Sequence, residues 1–132
     1  MRPRIYPTVA ETLETQRLLI DEFGGRHGVR DMGLLESAVL RPQNGYYANL
    51  IDEAAALMES LANNHAFLDG NERISFVMTD VLLRANGYFL DVEPLAAHKF
   101  ITRALENKGF RFSTIRSWLA AIAKTAAEEE DR

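Results

Sequence analysis

The chain contains no cysteine among its 132 residues, so disulfide bridges and metal sites with thiolate ligands are excluded. Its three histidines, His27, His65 and His98, lack the spacing of a histidine zinc site, which argues against a metal hydrolase. No apolar run approaches the roughly 20 residues that a membrane span needs. The first eight residues also lack the apolar region of a signal peptide, so we expect a cytoplasmic protein without membrane contact.

Basic residues are not in excess either. The 15 lysines and arginines are outnumbered by 19 acidic residues, and the formal net charge is −4. This balance disfavours direct nucleic-acid binding, which usually needs a basic face. A hydrophobic fraction of 47% and a charged fraction of 26% are typical of a globular protein. We therefore expect a single domain over residues 1–132, with a frayed acidic tail near 126–132.

Helical periodicity predicts about six helices and little strand. Thr8 and Glu11 have the spacing of a capping box at the start of the first helix. Apolar stripes over residues 51–62 and 74–85 predict two core helices, and Asn86-Gly87 should end the second of them. These two helices form the expected centre of the fold.

Shorter segments are predicted from the residues at their boundaries. Pro42 should end a short helix, because the residue before a proline avoids helical angles. Ser113 or Thr114 has the chemistry to cap the last helix. Residues 88–92 alternate weakly in polarity and are compatible with a short extended piece.

A polar loop between the two core helices has residues that suit phosphate chemistry. His65 can act as a general base near neutral pH, and Asp69 is a hard oxygen ligand suited to Mg²⁺. Gly70 and Asn71 lie where the next helix begins, so that free N–H groups and the helix dipole form an anion site. Arg73 adds a guanidinium that binds phosphate through two hydrogen bonds.

Each of these residues has a structural alternative that the sequence leaves open. Asp69 and Glu72 are three residues apart, which is the spacing of the N-cap and N3 residues of a capping box. His65 at a helix end is compatible with a structural role, and Arg73 with a place on the surface.

The loop resembles the signature of the Fic/Doc family, His-Pro-Phe-x-Asp/Glu-Gly/Ala-Asn-Gly/Lys-Arg. Six of the nine positions match, namely His65, Phe67, Asp69, Gly70, Asn71 and Arg73. The flanking segments are similar to the death-on-curing branch of the family, the Doc toxins, at residues 28–38, 41–43 and 83–88. The likeness covers roughly residues 6–119.

The resemblance implies an all-α Fic/Doc (Fido) helical fold with a small β-hairpin flap near residues 24–33, a stretch with four glycines. It also implies that the protein uses ATP and Mg²⁺. His65 would deprotonate a hydroxyl of a target protein, Asp69 would hold the metal, and Phe67 would anchor the loop in the core. The residues that bind the nucleotide phosphates would be Gly70, Asn71, Glu72 and Arg73.

Two reactions occur in this family, and the resemblance favours one of them. Fic enzymes transfer AMP and usually carry a second arginine three residues after the first, where this chain has Phe76. Doc toxins also lack that arginine. They act as kinases on a threonine of elongation factor Tu, and a cognate antitoxin neutralises them. The resemblance therefore implies a phosphotransferase toxin of a toxin–antitoxin module, with AMP transfer (AMPylation) as the alternative.

Two positions depart from the family pattern. Ala66 replaces the usual proline, which should loosen the loop slightly. Glu72 stands where the family has lysine or glycine. A carboxylate at about 4 Å from a phosphate charge would repel it by roughly 4 kcal/mol at an effective dielectric of about 20. Either Glu72 points away and activity survives, or the protein is an impaired member that serves as a binding module.

Overall fold

The computed structural model of the protein describes residues 3–127, and α-helices dominate this part of the chain. The helices are α1 (Val9–Phe23), α2 (Met32–Leu40), α3 (Leu50–Asn63), α4 (Asn71–Ala85), α5 (Pro94–Glu106) and α6 (Phe112–Ile122). A 3₁₀ turn (Arg41–Gln43) follows α2, and two short strands complete the described part, β1 (Tyr88–Leu90) and β2 (Ala123–Thr125). The predicted all-α class is confirmed. None of the described helices combines the length and apolar character that crossing a membrane demands.

Helix α3 lies at the centre of the core. It contacts α2, α4 and α6, and its residues 54–58 are all fully buried. Helix α4 packs against it with Ile74, Met78 and Leu82, while α6 contributes Ile115 and Leu119 to the same core. The two apolar stripes therefore mark the core helices, as predicted.

The first helix follows its sequence signals. The hydroxyl of Thr8 accepts a hydrogen bond from the N–H of Glu11 at 3.1 Å, and the Glu11 carboxylate accepts from the N–H of Thr8 at 2.9 Å. This reciprocal pair confirms the predicted capping box. Helix α1 ends at Gly24, whose φ of 90° is readily adopted by a residue without a Cβ atom.

The start of the last helix differs from the prediction. Helix α6 begins at Phe112 and has no side-chain cap, so neither Ser113 nor Thr114 is its N-cap residue. The N–H of Phe112 donates instead to Oε2 of Glu59, which lies on α3, at 2.7 Å. A carboxylate on a neighbouring helix thus replaces a local N-cap residue. Sequence spacing does not predict this contact, because Glu59 is far from α6 along the chain.

The extended elements lie away from the expected flap. Residues 24–33 form a loop that makes a single β-bridge, between Val29 and Phe67, and the described chain has no hairpin there. Four glycines in ten residues explain this, because glycine disfavours a strand interior. The strand pair joins β1, predicted as extended, to β2, which was not predicted. Of the expected frayed tail only 126 and 127 are described, and the N–H of Ala126 donates to the Gly87 carbonyl at 2.9 Å.

A polar cluster ties α3 to the segment that precedes it. Nη1 of Arg41 donates to Oε1 of Glu59 and to the hydroxyl of Ser60, each at 2.8 Å, and Nε donates to the Tyr47 hydroxyl at 2.7 Å. Burial disfavours the charged guanidinium, but the hydrogen bonds to Glu59 and Tyr47 outweigh it and raise the pKa of Arg41. The side chain of Glu59, on α3, therefore links α3 to the 3₁₀ turn after α2 and to the start of α6.

We predict that Glu59→Gln destabilises the protein by about 2 kcal/mol, because it removes the charge that pairs with Arg41 and accepts from Phe112. Equilibrium unfolding in urea measures this loss. The matched control is Glu36→Gln, an exposed position on α2 whose substitution should change the free energy of unfolding by no more than about 0.5 kcal/mol. Equal effects at the two positions would contradict the role of Glu59.

Candidate active site

The loop between α3 and α4 is anchored at two points. The ring of Phe67 is 1% exposed and lies in the core, in the place that the resemblance implied. The side-chain amide of Asn71 accepts from the N–H of Phe67 at 3.1 Å and donates to its carbonyl at 3.0 Å. Because this amide closes the loop, the side chain of Asn71 is occupied, and its backbone N–H is the group left for a ligand.

His65 lies at the junction where α3 ends and the loop begins. It follows the C-cap Asn64 and has a φ of 52°, in the left-handed region. Glycine is the usual residue at such a place, because the left-handed conformation costs a residue with a Cβ atom about 1–2 kcal/mol. The side chain is exposed, and within residues 3–127 the imidazole forms no hydrogen bond. The imidazole is therefore open to contact with a bound molecule.

Asp69 is held at the surface by backbone groups. Its Oδ2 accepts from the N–H of Arg26 at 3.1 Å, and its Oδ1 accepts from the N–H of Gly70 at 3.0 Å. The N-cap of α4 is Gly70, with a φ of 76° and no side-chain cap. The alternative in which Asp69 and Glu72 form a capping box is therefore wrong.

The start of α4 is open to an anion. Ile74 is the first residue whose N–H bonds back along the helix, to the Gly70 carbonyl at 2.9 Å. Because the N-cap residue is a glycine, no capping side chain in the described residues covers the N–H groups of residues 71–73. The guanidinium carbon of the exposed Arg73 lies 4.1 Å from the ring centre of Phe23, at the end of α1. This cation–π contact orients the guanidinium without neutralising its charge.

Glu72 points toward a neighbouring helix. Its Oε1 accepts from the hydroxyl of Thr102 at 2.9 Å and lies 3.2 Å from Nδ1 of His98, and both residues are on α5. The carboxylate that departs from the family pattern is thus bound to α5. This orientation is the one required for the interpretation in which activity survives.

The chemistry of Asp69 fits a magnesium ion, provided that other ligands complete the site. Among the described residues, no group of three or more histidine and acidic side chains is arranged to hold a metal ion by itself. Mg²⁺ is commonly bound by one or two carboxylates together with substrate phosphates and water. Each oxygen of the Asp69 carboxylate accepts one N–H and keeps a lone pair for such an ion.

A cleft of about 410 Å³ adjoins the loop, between α1 and residues 27–29. Gln16 lies in its wall and donates from Nε2 to the carbonyl of Asp69 at 3.3 Å. Nε2 of His27 lies 2.8 Å from Oδ1 of Asp21 on the rim. Sequence reasoning missed Gln16, Arg26 and Phe23, because nothing in their spacing links them to a loop more than 40 residues away.

Comparison with known proteins identifies the family of the chain. The sequence matches the Fic/DOC family over residues 6–83, and the chain belongs to that family. It is also similar to Toxin Doc of Mycolicibacterium smegmatis, with 49% identity over 70 residues, which are 49% of this chain and 54% of that protein. The chain thus spans about half the length of this relative. The predicted family is confirmed, and the likeness to Toxin Doc agrees with the predicted branch.

The geometry at Asp69 predicts that Gly25→Ala destabilises the protein more than Gly24→Ala. Both glycines have left-handed φ values, 114° and 90°, so both substitutions carry backbone strain. A Cβ at Gly25 would lie 2.9 Å from Oδ2 of Asp69 and 3.0 Å from Cδ1 of Ile20, whereas one at Gly24 meets no atom within 4 Å. We expect an extra cost of about 1–3 kcal/mol at Gly25, measured by urea unfolding. Equal costs would show that the side chains of Asp69 and Ile20 both move aside freely.

Proposed function

We propose that the protein is a Doc-like toxin that transfers a phosphate from ATP to a threonine or serine hydroxyl of a translation protein such as elongation factor Tu. A cognate antitoxin would neutralise it. The observation that carries the proposal is the exposed imidazole of His65, beside an open helix start and a surface carboxylate. The likeness to Toxin Doc supports the toxin class.

In the proposed reaction His65 accepts the proton of the target hydroxyl while its oxygen attacks the terminal phosphorus of ATP. The bond from that phosphorus to the bridging oxygen breaks, and ADP leaves. The N–H groups at residues 71–73 and the guanidinium of Arg73 would bind the phosphate oxygens. Asp69 would hold Mg²⁺ together with the nucleotide, and the ion would supply charge neutralisation.

Phe76 favours phosphate transfer over AMP transfer. In Fic enzymes the corresponding place usually has the second arginine. Here the ring of Phe76 is half-buried against the core, and its centre lies 6.4 Å from that of Trp118. An apolar contact therefore replaces a group that would bind phosphate.

The proposal predicts which phosphate of ATP reaches the target. ATP labelled at the γ-phosphate should label the target, whereas ATP labelled at the α-phosphate should not. Label from the α-phosphate on the target would establish AMP transfer instead.

The proposal predicts that His65→Gly abolishes activity while it stabilises the fold. Glycine removes the base and also relieves the left-handed strain, so the free energy of unfolding should rise by about 1 kcal/mol. Transfer to elongation factor Tu should fall by at least about 10²-fold. Toxicity is measured in parallel from the growth of cells that express the native chain or the variant.

Lys108→Gly is the matched control, because Lys108 also has a left-handed φ, of 57°, after the C-cap of α5. This variant should gain similar stability and keep full activity. If the native chain and His65→Gly modify the target and arrest growth equally, His65 is not the base and the proposal fails.

The contacts of Glu72 predict how this residue affects nucleotide binding. Thr102→Val removes one of the two groups on α5 that contact the carboxylate and leaves His98, so that the charge is freer to approach the phosphates. We expect the KM for ATP to rise about tenfold, because a hydrogen bond to a charged group is lost. The double variant Thr102→Val with Glu72→Gln should restore the KM, since it lacks the repelling charge. A KM that stays raised in the double variant would show that Thr102 acts in another way.

A further inference from the structure

Arg30 is a surface arginine whose side chain binds the main chain at the end of α3. Its Nε donates to the carbonyl of His65 at 2.6 Å, and its Nη2 donates to the carbonyl of Asn64 at 3.1 Å. In the described residues its guanidinium forms no ion pair. Its hydrogen bonds are therefore directed at the junction that carries the exposed imidazole.

The chemistry of this contact suits arginine. The last carbonyls of a helix have no partner within the helix, and a cation near them is favoured by the helix dipole. The planar guanidinium presents its donors in a fixed fork, so one side chain reaches two successive carbonyls. A lysine ammonium is a point charge on a flexible stem and would hold the pair less rigidly.

The backbone around Arg30 holds the other side of His65. The N–H groups of Arg30 and Asp31 both donate to the Ala66 carbonyl, at 2.7 and 3.0 Å. The carbonyl of Gly28 accepts from the N–H of Leu68 at 3.1 Å. Residues 28–31 thus bind the chain both at His65 and directly after it. A left-handed conformation at a residue other than glycine persists where the surroundings fix it in this way.

We infer that Arg30 is a positioning residue, which keeps His65 in its left-handed conformation and so fixes the direction of the imidazole. The inference rests on the proposed function, in which His65 is the base. Without the guanidinium, the carbonyls at the end of α3 are free to turn toward water. The backbone at His65 then relaxes toward an ordinary negative φ, and the imidazole moves with it.

The first test reads the conformation directly and needs no activity. The three-bond HN–Hα coupling and the Cα chemical shift of His65 report its φ, and they are measured by NMR in Arg30→Ala and in the native chain. We expect Arg30→Ala to lose the left-handed values. Arg84→Ala is the control, since it removes an exposed arginine that pairs with Asp80 at the far end of α4. It should keep the left-handed values.

The second test measures transfer from γ-labelled ATP to elongation factor Tu. Arg30→Ala should lower kcat by about 10²-fold, because a displaced base is poorly aligned with the hydroxyl. The KM for ATP should stay within about twofold, since Arg30 contacts no part of the phosphate site. Arg30→Lys should recover part of the lost kcat, and Arg84→Ala should behave like the native chain.

Either of two results would overturn the inference. One is a folded Arg30→Ala whose His65 keeps its left-handed values, and the other is a raised KM for ATP with an unchanged kcat. If Arg30→Ala does not fold, Arg30→Gln is judged by the same two criteria. If the native chain shows no transfer that depends on His65, the proposed function fails, and the NMR comparison still decides whether Arg30 holds the conformation.

Discussion

The packing of α3 against α4 is the constraint on which the rest of the site depends. Both helices are buried in one core, so the last turn of α3 and the first turn of α4 are held at set positions. The short loop between them has to reverse the chain within that distance. It does so with a left-handed residue at His65 and a left-handed glycine at Gly70. The strain of the turn and the exposure of the imidazole thus have the same origin.

Around this turn, the groups that hold the loop in place differ from the groups that are left exposed to a ligand. Phe67 and the amide of Asn71 hold the loop from inside, and the segment that contains Arg30 holds it from outside. These contacts use mainly backbone donors and acceptors. The imidazole of His65 and the guanidinium of Arg73 are consequently left exposed, beside the uncapped start of α4. A charged ligand could bind there without breaking a contact that the fold needs.

Glu72 shows why a motif position has to be judged in its tertiary setting. In the linear pattern it is a carboxylate among residues expected to bind phosphate, and Coulomb repulsion predicts an impaired site. In the structure the carboxylate accepts a hydrogen bond from Thr102 and lies beside His98, and both residues are about 30 positions further along the chain. The position of a residue in a motif predicts where its backbone lies. The direction of a long side chain depends on the neighbouring residues that the tertiary fold brings to it.

The sequence by itself determined the helical class, the two core helices and the capping box at Thr8. It also determined the loop that carries His65 and Asp69 and the helix start that carries Arg73. These features depend on local periodicity and on residues within a few positions of one another, which a linear pattern records. Only the tertiary structure decided the partners of Glu72, the carboxylate cap that Glu59 supplies to α6, and the contact of Arg30 with the end of α3. Each of these contacts joins segments more than 25 residues apart, and such contacts form only once the helices have packed.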